Sequence, residues 1–205
     1  MKLKKIKNAA ALLSAVLALT VCSQAAAVKP GEPAPDFTAV DSEGKSQTLS
    51  SYKGKYVVLE WFNEGCPFVQ KHYHSTNMQT LQREMTGKGV VWLSVISSAP
   101  GKQGYSIPAD ANTMRRKWNI ASTATLLDPE GKVGRLYGAK TTPDMFIVSP
   151  DGKILYMGAI DEKATSNPAD IDGAKNYVKA ALDEAMAGKP VTTAATTPYG
   201  CSVKY

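Results

Sequence analysis

Two apolar runs with a helical pattern between them limit what this chain can fold into more than any other feature. Tyr56-Val57-Val58-Leu59-Glu60-Trp61-Phe62 is rich in β-branched and aromatic residues and mostly apolar on both faces, the pattern of a buried strand. Asn63-Glu64-Gly65 breaks it. From Pro67 to Met85 the spacing of Val69, Tyr73, Met78, Leu81 and Met85 predicts one helix, with Pro67 tolerated in the first turn. Gly87-Lys88-Gly89 stops that helix, and Val90-Val91-Trp92-Leu93-Ser94-Val95-Ile96 reads as a second buried strand. Strand, helix and strand in this order make a β-α-β unit.

The remaining pattern places this unit in a larger sheet. Gly31-Glu32-Pro33-Ala34-Pro35-Asp36-Phe37 is a Pro-punctuated extended entry, and Asp41-Ser42-Glu43-Gly44-Lys45 is a turn between short strands. Ala109 to Trp118 reads as a helix, Thr125-Leu126-Leu127 as a strand, and Lys132 to Tyr137 as a short helix after the turn Asp128-Pro129-Glu130-Gly131. Asp144–Val148 and Lys153–Met157 flank Ser149-Pro150-Asp151-Gly152, a hairpin signal with Asp-Gly at the turn. Ile171 to Ala187 carries Ala174, Val178, Ala181 and Leu182 at helical spacing and ends at Gly188-Lys189-Pro190. The expected fold class is α/β, one mixed central sheet with helices on both faces.

The 205 residues divide into a leader over 1–27, a domain over 28–187 and a Thr/Ala-rich tail over 188–205. Lys2, Lys4, Lys5 and Lys7 precede the uncharged apolar stretch Ala9–Val21 and the small residues Ala25-Ala26-Ala27. That layout is a secretory signal peptide, too short to span a bilayer core of roughly 30 Å. Removing it lowers the net charge from +6 to +2, because it holds four lysines and no acid. No polybasic stripe survives, which argues against nucleic acid as a partner. Membrane contact is expected only through the leader, if it stays uncleaved. Cys22 leaves with the leader, so Cys66 and Cys201 remain, and an oxidising compartment permits one disulfide between them.

Cys66 carries the chemistry. It stands where a buried strand gives way to a helix, facing the unpaired N–H groups and positive dipole end of that helix. Both favour the thiolate, which is the nucleophile. A small buried hydrophobe is the alternative reading, a common fate of free cysteine. Thr141-Thr142-Pro143 precedes the hairpin, but X-Pro bonds are cis in only about 5–6% of cases, so the dipeptide alone says little.

The strand, then Trp61…Cys66-Pro67-Phe68-Val69, then a helix, then Thr142-Pro143 before a hairpin together resemble the thioredoxin superfamily. Ala34-Pro35-Asp36-Phe37 resembles the entry of its AhpC/TSA, or redoxin, branch, and the resemblance covers roughly residues 29–187. It implies a thioredoxin-like fold with Cys66 at the first, attacking position of the Cys-x-x-Cys motif. Val69 occupies the second position, where peroxiredoxins carry the peroxide-reacting cysteine, and the peroxiredoxin threonine has no match. The chain most resembles peroxiredoxin-like redoxins that keep only the first cysteine. By the same resemblance Pro143 is a cis-proline beside the sulfur, with Thr142 and Trp61 helping to shape a substrate surface around it.

Cys201 is the candidate partner. A flexible segment of ~13 residues from the helix end spans roughly 20 Å, comparable to the domain's radius of gyration of about 16 Å. Three roles stay open: a resolving cysteine, a permanent structural bridge constraining the unfolded chain by about 5 kcal/mol, or an intermolecular or unpaired thiol. His72 and His74, two residues apart on a helix, face different directions and lack zinc spacing, although copper could be held by Cys66, Cys201 and one histidine. His72 reads otherwise as solvent-facing or as tuning Cys66. Gly101-Lys102-Gln103-Gly104 is a loop without P-loop spacing, and Arg115-Arg116-Lys117 a solvated helix face.

These readings converge on an exported thiol–disulfide oxidoreductase with no metal and no organic cofactor. It would exchange with protein or small-molecule thiols and disulfides and with an external redox partner. Its sulfur must be ionised and reachable. The alternatives are a thiol peroxidase, and a non-enzymatic binding or metal-delivery module with a structural disulfide.

Overall fold

The computed structural model describes residues 28–205, so the expected leader over 1–27, with Cys22, lies outside the described residues. Strands β1 (Thr38–Asp41) and β2 (Ser46–Thr48) form the first hairpin. Next come β3 (Val57–Trp61), helices α1 (Pro67–His74) and α2 (Asn77–Gly87), and β4 (Val91–Ile96). Helix α3 (Pro108–Lys117), β5 (Ala124–Leu127), α4 (Lys132–Tyr137) and β6 (Thr141–Thr142) follow. The hairpin β7 (Met145–Val148) and β8 (Ile154–Gly158), then α5 (Tyr177–Met186) and β9 (Cys201–Ser202), complete the order. Among the described residues a seven-stranded sheet runs β2-β1-β5-β4-β3-β7-β8, and β6 pairs separately with β9. β3, β4 and β5 are parallel neighbours, while β7 and β1 flank them antiparallel. The fold is thioredoxin-like, as the family resemblance implied.

Alternation along the central strand sorts the core into two layers. Val58 and Phe62 point to one face, against Val69, Tyr73, Met78, Leu81 and Met85 from α1 and α2 and Val178 and Leu182 from α5. Leu59 and Trp61 point to the other face, against Phe146, Val133 and Tyr137. Helices therefore cover both faces, with α4 and the short 3-10 helix Leu49–Tyr52 on the second. Among the described residues no helix is long and apolar enough to cross a membrane.

Two helices depart from the sequence pattern. The helix expected from Pro67 to Met85 is broken at Ser75-Thr76. Ser75 turns its hydroxyl back to the carbonyls of Lys71 (2.7 Å) and His72 (3.2 Å), and Thr76 adopts φ 63°, outside the helical region. The last helix starts at Tyr177 rather than Ile171, because Asn176 caps it through the Lys179 amide at 2.9 Å. Gly173 just upstream lies at φ 73°, which a helix does not admit.

Candidate functional site

The turn that delivers Cys66 is fixed by glycine and asparagine. The Asn63 carboxamide accepts the Gly65 amide at 3.0 Å and donates to the Gln103 side chain at 2.8 Å. A Cβ on Gly65 would sit 1.8 Å from the Gln103 side-chain nitrogen, so a larger residue here would displace Gln103 from Asn63. Cys66 then takes the N-cap position of α1 with extended dihedrals, φ −85° and ψ 121°, and Pro67 begins the helix. The sulfur thus lies at the free N–H end of α1, as the sequence placed it.

Across from it lies the turn before β7. The Thr142–Pro143 peptide is cis, and the Cys66 thiol donates to the Thr142 carbonyl at 2.9 Å. Thr142 in turn pairs with Cys201 in the antiparallel register of β6 and β9. Gly200 permits that approach: it lies at φ 143°, and a Cβ there would come within 2.1 Å of the Thr142 carbonyl oxygen. The fold therefore gathers Cys66, Thr142, Pro143 and Cys201 into one cluster, with both sulfurs unbridged.

The two thiols differ electrostatically. Burial pushes the Cys66 thiol up, but the Cys201 thiol, the Thr142 side chain and the amides of Cys201 and Val69 outweigh it, so its pKa falls below the ordinary value. Cys201 is pushed up to about 11 by burial and by its position against Cys66. Of the pair, Cys66 is the sulfur whose thiolate form is the more favoured.

One expectation is overturned outright. Cys66 is 0% exposed, whereas Cys201 keeps partial exposure. The reactive thiol expected to be reachable is roofed over by the tail. Nor is that tail a loose arm. Its Thr196 amide bonds the Met157 carbonyl (3.0 Å), and its Thr196 hydroxyl accepts the Ala159 amide (2.9 Å). Beyond Cys201 the Val203 amide reaches the Lys140 carbonyl at 3.0 Å. The Tyr205 hydroxyl reaches that of Ala139 at 2.9 Å, with the Arg135 guanidinium 4.6 Å from its ring centroid.

Tyr199 provides the most elaborate anchor. Its hydroxyl donates to Asp161, and its ring packs edge-on to Phe68 with centroids 5.8 Å apart. The buried Lys71 ammonium lies 5.5 Å from the ring centroid, bonded to the Lys163 carbonyl (2.8 Å) and to Asp161 (3.4 Å). His72 faces the Tyr199 hydroxyl through Nε2 at 3.3 Å, while the Asn77 carboxamide sits on Nδ1 at 2.8 Å. Burial lowers its pKa to about 4, so the imidazole is neutral.

Further corrections follow from burial. Trp61, expected to shape the substrate surface, is 0% exposed in the opposite core layer, where it packs on Tyr137 and Phe146 and donates its indole N–H to Ser97. Its odd position relative to Phe62 sends it to the α4 side of the sheet. His72 is neither solvent-facing nor free to ligate, since both ring nitrogens are engaged. His74 is exposed against Trp118. Among the described residues no three His, Cys, Asp or Glu side chains group closely enough to hold a metal ion.

Sequence reasoning passed over Glu60. Its fully buried carboxyl collects Tyr73 (2.7 Å), Trp92 (2.7 Å), Gln82 (3.0 Å) and Ser94 (3.3 Å), and burial raises its pKa despite these donors. The available signal was a lone acid in the middle of an otherwise apolar strand.

Comparison with known proteins agrees with the geometry. A family model described as the AhpC/TSA family matches residues 30–157. The thiol–disulfide oxidoreductase ResA of Bacillus thuringiensis subsp. konkukian is 26% identical over 125 residues, 61% of this chain and 66% of that protein. The match therefore spans just under two thirds of that relative. Among solved structures, an uncharacterized conserved protein from Geobacillus kaustophilus is 25% identical with a TM-score of 0.76, covering 86% of this chain and 92% of that one. A putative thiol:disulfide interchange protein DsbE from Chlorobium tepidum is 25% identical with a TM-score of 0.52, covering 64% and 85%.

Proposed function

The chain belongs to the AhpC/TSA family, and from that premise we propose that it is an exported thiol–disulfide oxidoreductase whose working pair is Cys66 and Cys201. The observation that carries the reading is one cluster holding a stabilised sulfur at a helix N-terminus, the Thr142–Pro143 turn and a second thiol in register with Thr142. Thiol exchange needs a low-pKa sulfur and a partner sulfur, and both are supplied without metal or organic cofactor. The likeness to ResA and to the DsbE-named structure supports the same activity class. The leader over 1–27 would direct export, residues 28–187 would form the redox domain, and the tail over 188–205 would deliver Cys201. Substrates would be thiols and disulfides of proteins or small molecules, together with an external redox partner.

The pair cycles between dithiol and disulfide. On oxidation a sulfur–sulfur bond forms between Cys66 and Cys201, and two protons and two electrons leave to the disulfide being reduced. Reduction reverses this through a mixed disulfide. Cys66→Ser and Cys201→Ser are each expected to abolish catalytic turnover of glutathione disulfide by the mature protein, because either change removes one half of the pair. Exchange at wild-type rates by Cys66→Ser defeats the proposal.

A further inference from the structure

The oxidoreductase reading leaves open which sulfur meets the partner, and access answers it. Cys66 lies beneath β9 with its thiol turned to the Thr142 carbonyl, fully closed to solvent, while Cys201 keeps an exposed edge. Fraying of the strand does not reverse this easily. The chain is tied down on the near side by Thr196 and Tyr199 and on the far side by Val203 and Tyr205.

We infer that Cys201, not Cys66, is the sulfur at which an external thiol enters the 66–201 disulfide. The inference rests on the reading of Cys66 and Cys201 as a redox pair. A thiolate displaces a disulfide sulfur in line, from the side opposite the bond that breaks, and the choice of sulfur follows access. Cys66 is closed to solvent beneath the strand and Cys201 is partly exposed, so the Cys201 sulfur is the one an external thiolate reaches.

The chemistry closes in two steps. A partner thiolate attacks the Cys201 sulfur, a new sulfur–sulfur bond joins partner to Cys201, and the 66–201 bond breaks with its electron pair going to Cys66. Cys66 is the better leaving group of the two because it stands at the α1 N-terminus with its pKa lowered, and leaving is faster for lower thiol pKa. The partner's second thiolate then attacks its own bridged sulfur and closes the partner's disulfide. Cys201 departs as thiolate and takes up a proton. The partner loses two electrons, and the pair gains them. Because Cys201 is the poorer leaving group, the mixed disulfide on Cys201 is the intermediate that persists. The dithiol returns to the disulfide by passing its electrons to an external disulfide-bearing acceptor.

Brief exposure of the oxidised mature protein to reduced glutathione, followed by quenching with N-ethylmaleimide and peptide mapping, reads the answer directly. Glutathione is expected on Cys201 and maleimide on Cys66, by about tenfold over the reverse pattern. Tyr199→Ala, which loosens the strand, is expected to raise the share of glutathione on Cys66. Predominant glutathione on Cys66 in the wild-type protein overturns the inference while leaving the redox pair intact. Failure of the oxidised protein to form any 66–201 bridge overturns both.

Discussion

The two cysteines are held by two different kinds of structure. Cys66 is placed by backbone: the end of β3, an asparagine-glycine turn and the first residue of α1. Cys201 is placed by the two-residue pairing of β9 with β6 and by anchors scattered along the tail, chiefly Thr196, Tyr199, Val203 and Tyr205. The first arrangement is as stable as the core. The second is as stable as its anchors, so the molecule pairs a fixed sulfur with a removable one.

The largest expected effect tests the fixed side. Trp61→Ala opens a cavity between Tyr137 and Phe146 and is expected to cost about 3–5 kcal/mol in denaturant unfolding. It should nevertheless leave the relative labelling of Cys66 and Cys201 unchanged, since Trp61 lies on the other side of the sheet. A changed labelling ratio would break the separation drawn here.

A pH effect of nearly similar size belongs to the same side. Burial raises Asp144, next to Pro143, from 3.8 to about 7 in the folded protein. The folded state therefore binds this proton more tightly than the unfolded chain. Its contribution is complete below about pH 4 and is lost as pH rises through the window to about 7, on the order of 4 kcal/mol in all. Denaturation of wild type and Asp144→Asn between pH 4 and 8 checks this. The variant should lack that part of the slope.

Smaller effects test the removable side. Gly200→Ala would drive a methyl group into the Thr142 carbonyl and is expected to lift β9, costing about 1–3 kcal/mol. It should make Cys66 several-fold more reactive to iodoacetamide while barely moving the unfolding of the core. Tyr199→Phe removes one hydroxyl from Asp161 and His72 and should cost about 1–2 kcal/mol. The gain in Cys66 labelling should be correspondingly smaller.

The same division explains what could be read from the sequence. The β-α-β unit, the Asp151-Gly152 hairpin and the place of Cys66 follow from periodicity and turn chemistry, which act over a few neighbouring residues. Thr142-Pro143 gained meaning only from its resemblance to a known arrangement. The path of the tail could not be read, because Tyr199 meets Lys71, His72 and Asp161 from more than 30 positions away and no repeating pattern records such contacts. The break at Ser75-Thr76 had a weak signal, since Ser, Thr and Asn adjoin there, but the apolar spacing of Val69 to Met85 runs straight through it. The burial of Trp61 away from Cys66 depended on which face of β3 each residue takes, which strand alternation alone leaves undetermined until the layers are known.

The pairing of β9 with β6 has one more consequence. Any extended polypeptide seeking the backbone of Thr141 and Thr142 meets a resident strand of the same chain, tethered at an effective concentration of millimolar order. A free peptide must exceed that to win the edge. Partners that present a thiol at the rim are spared the contest, and the chain selects them simply by carrying its own competitor.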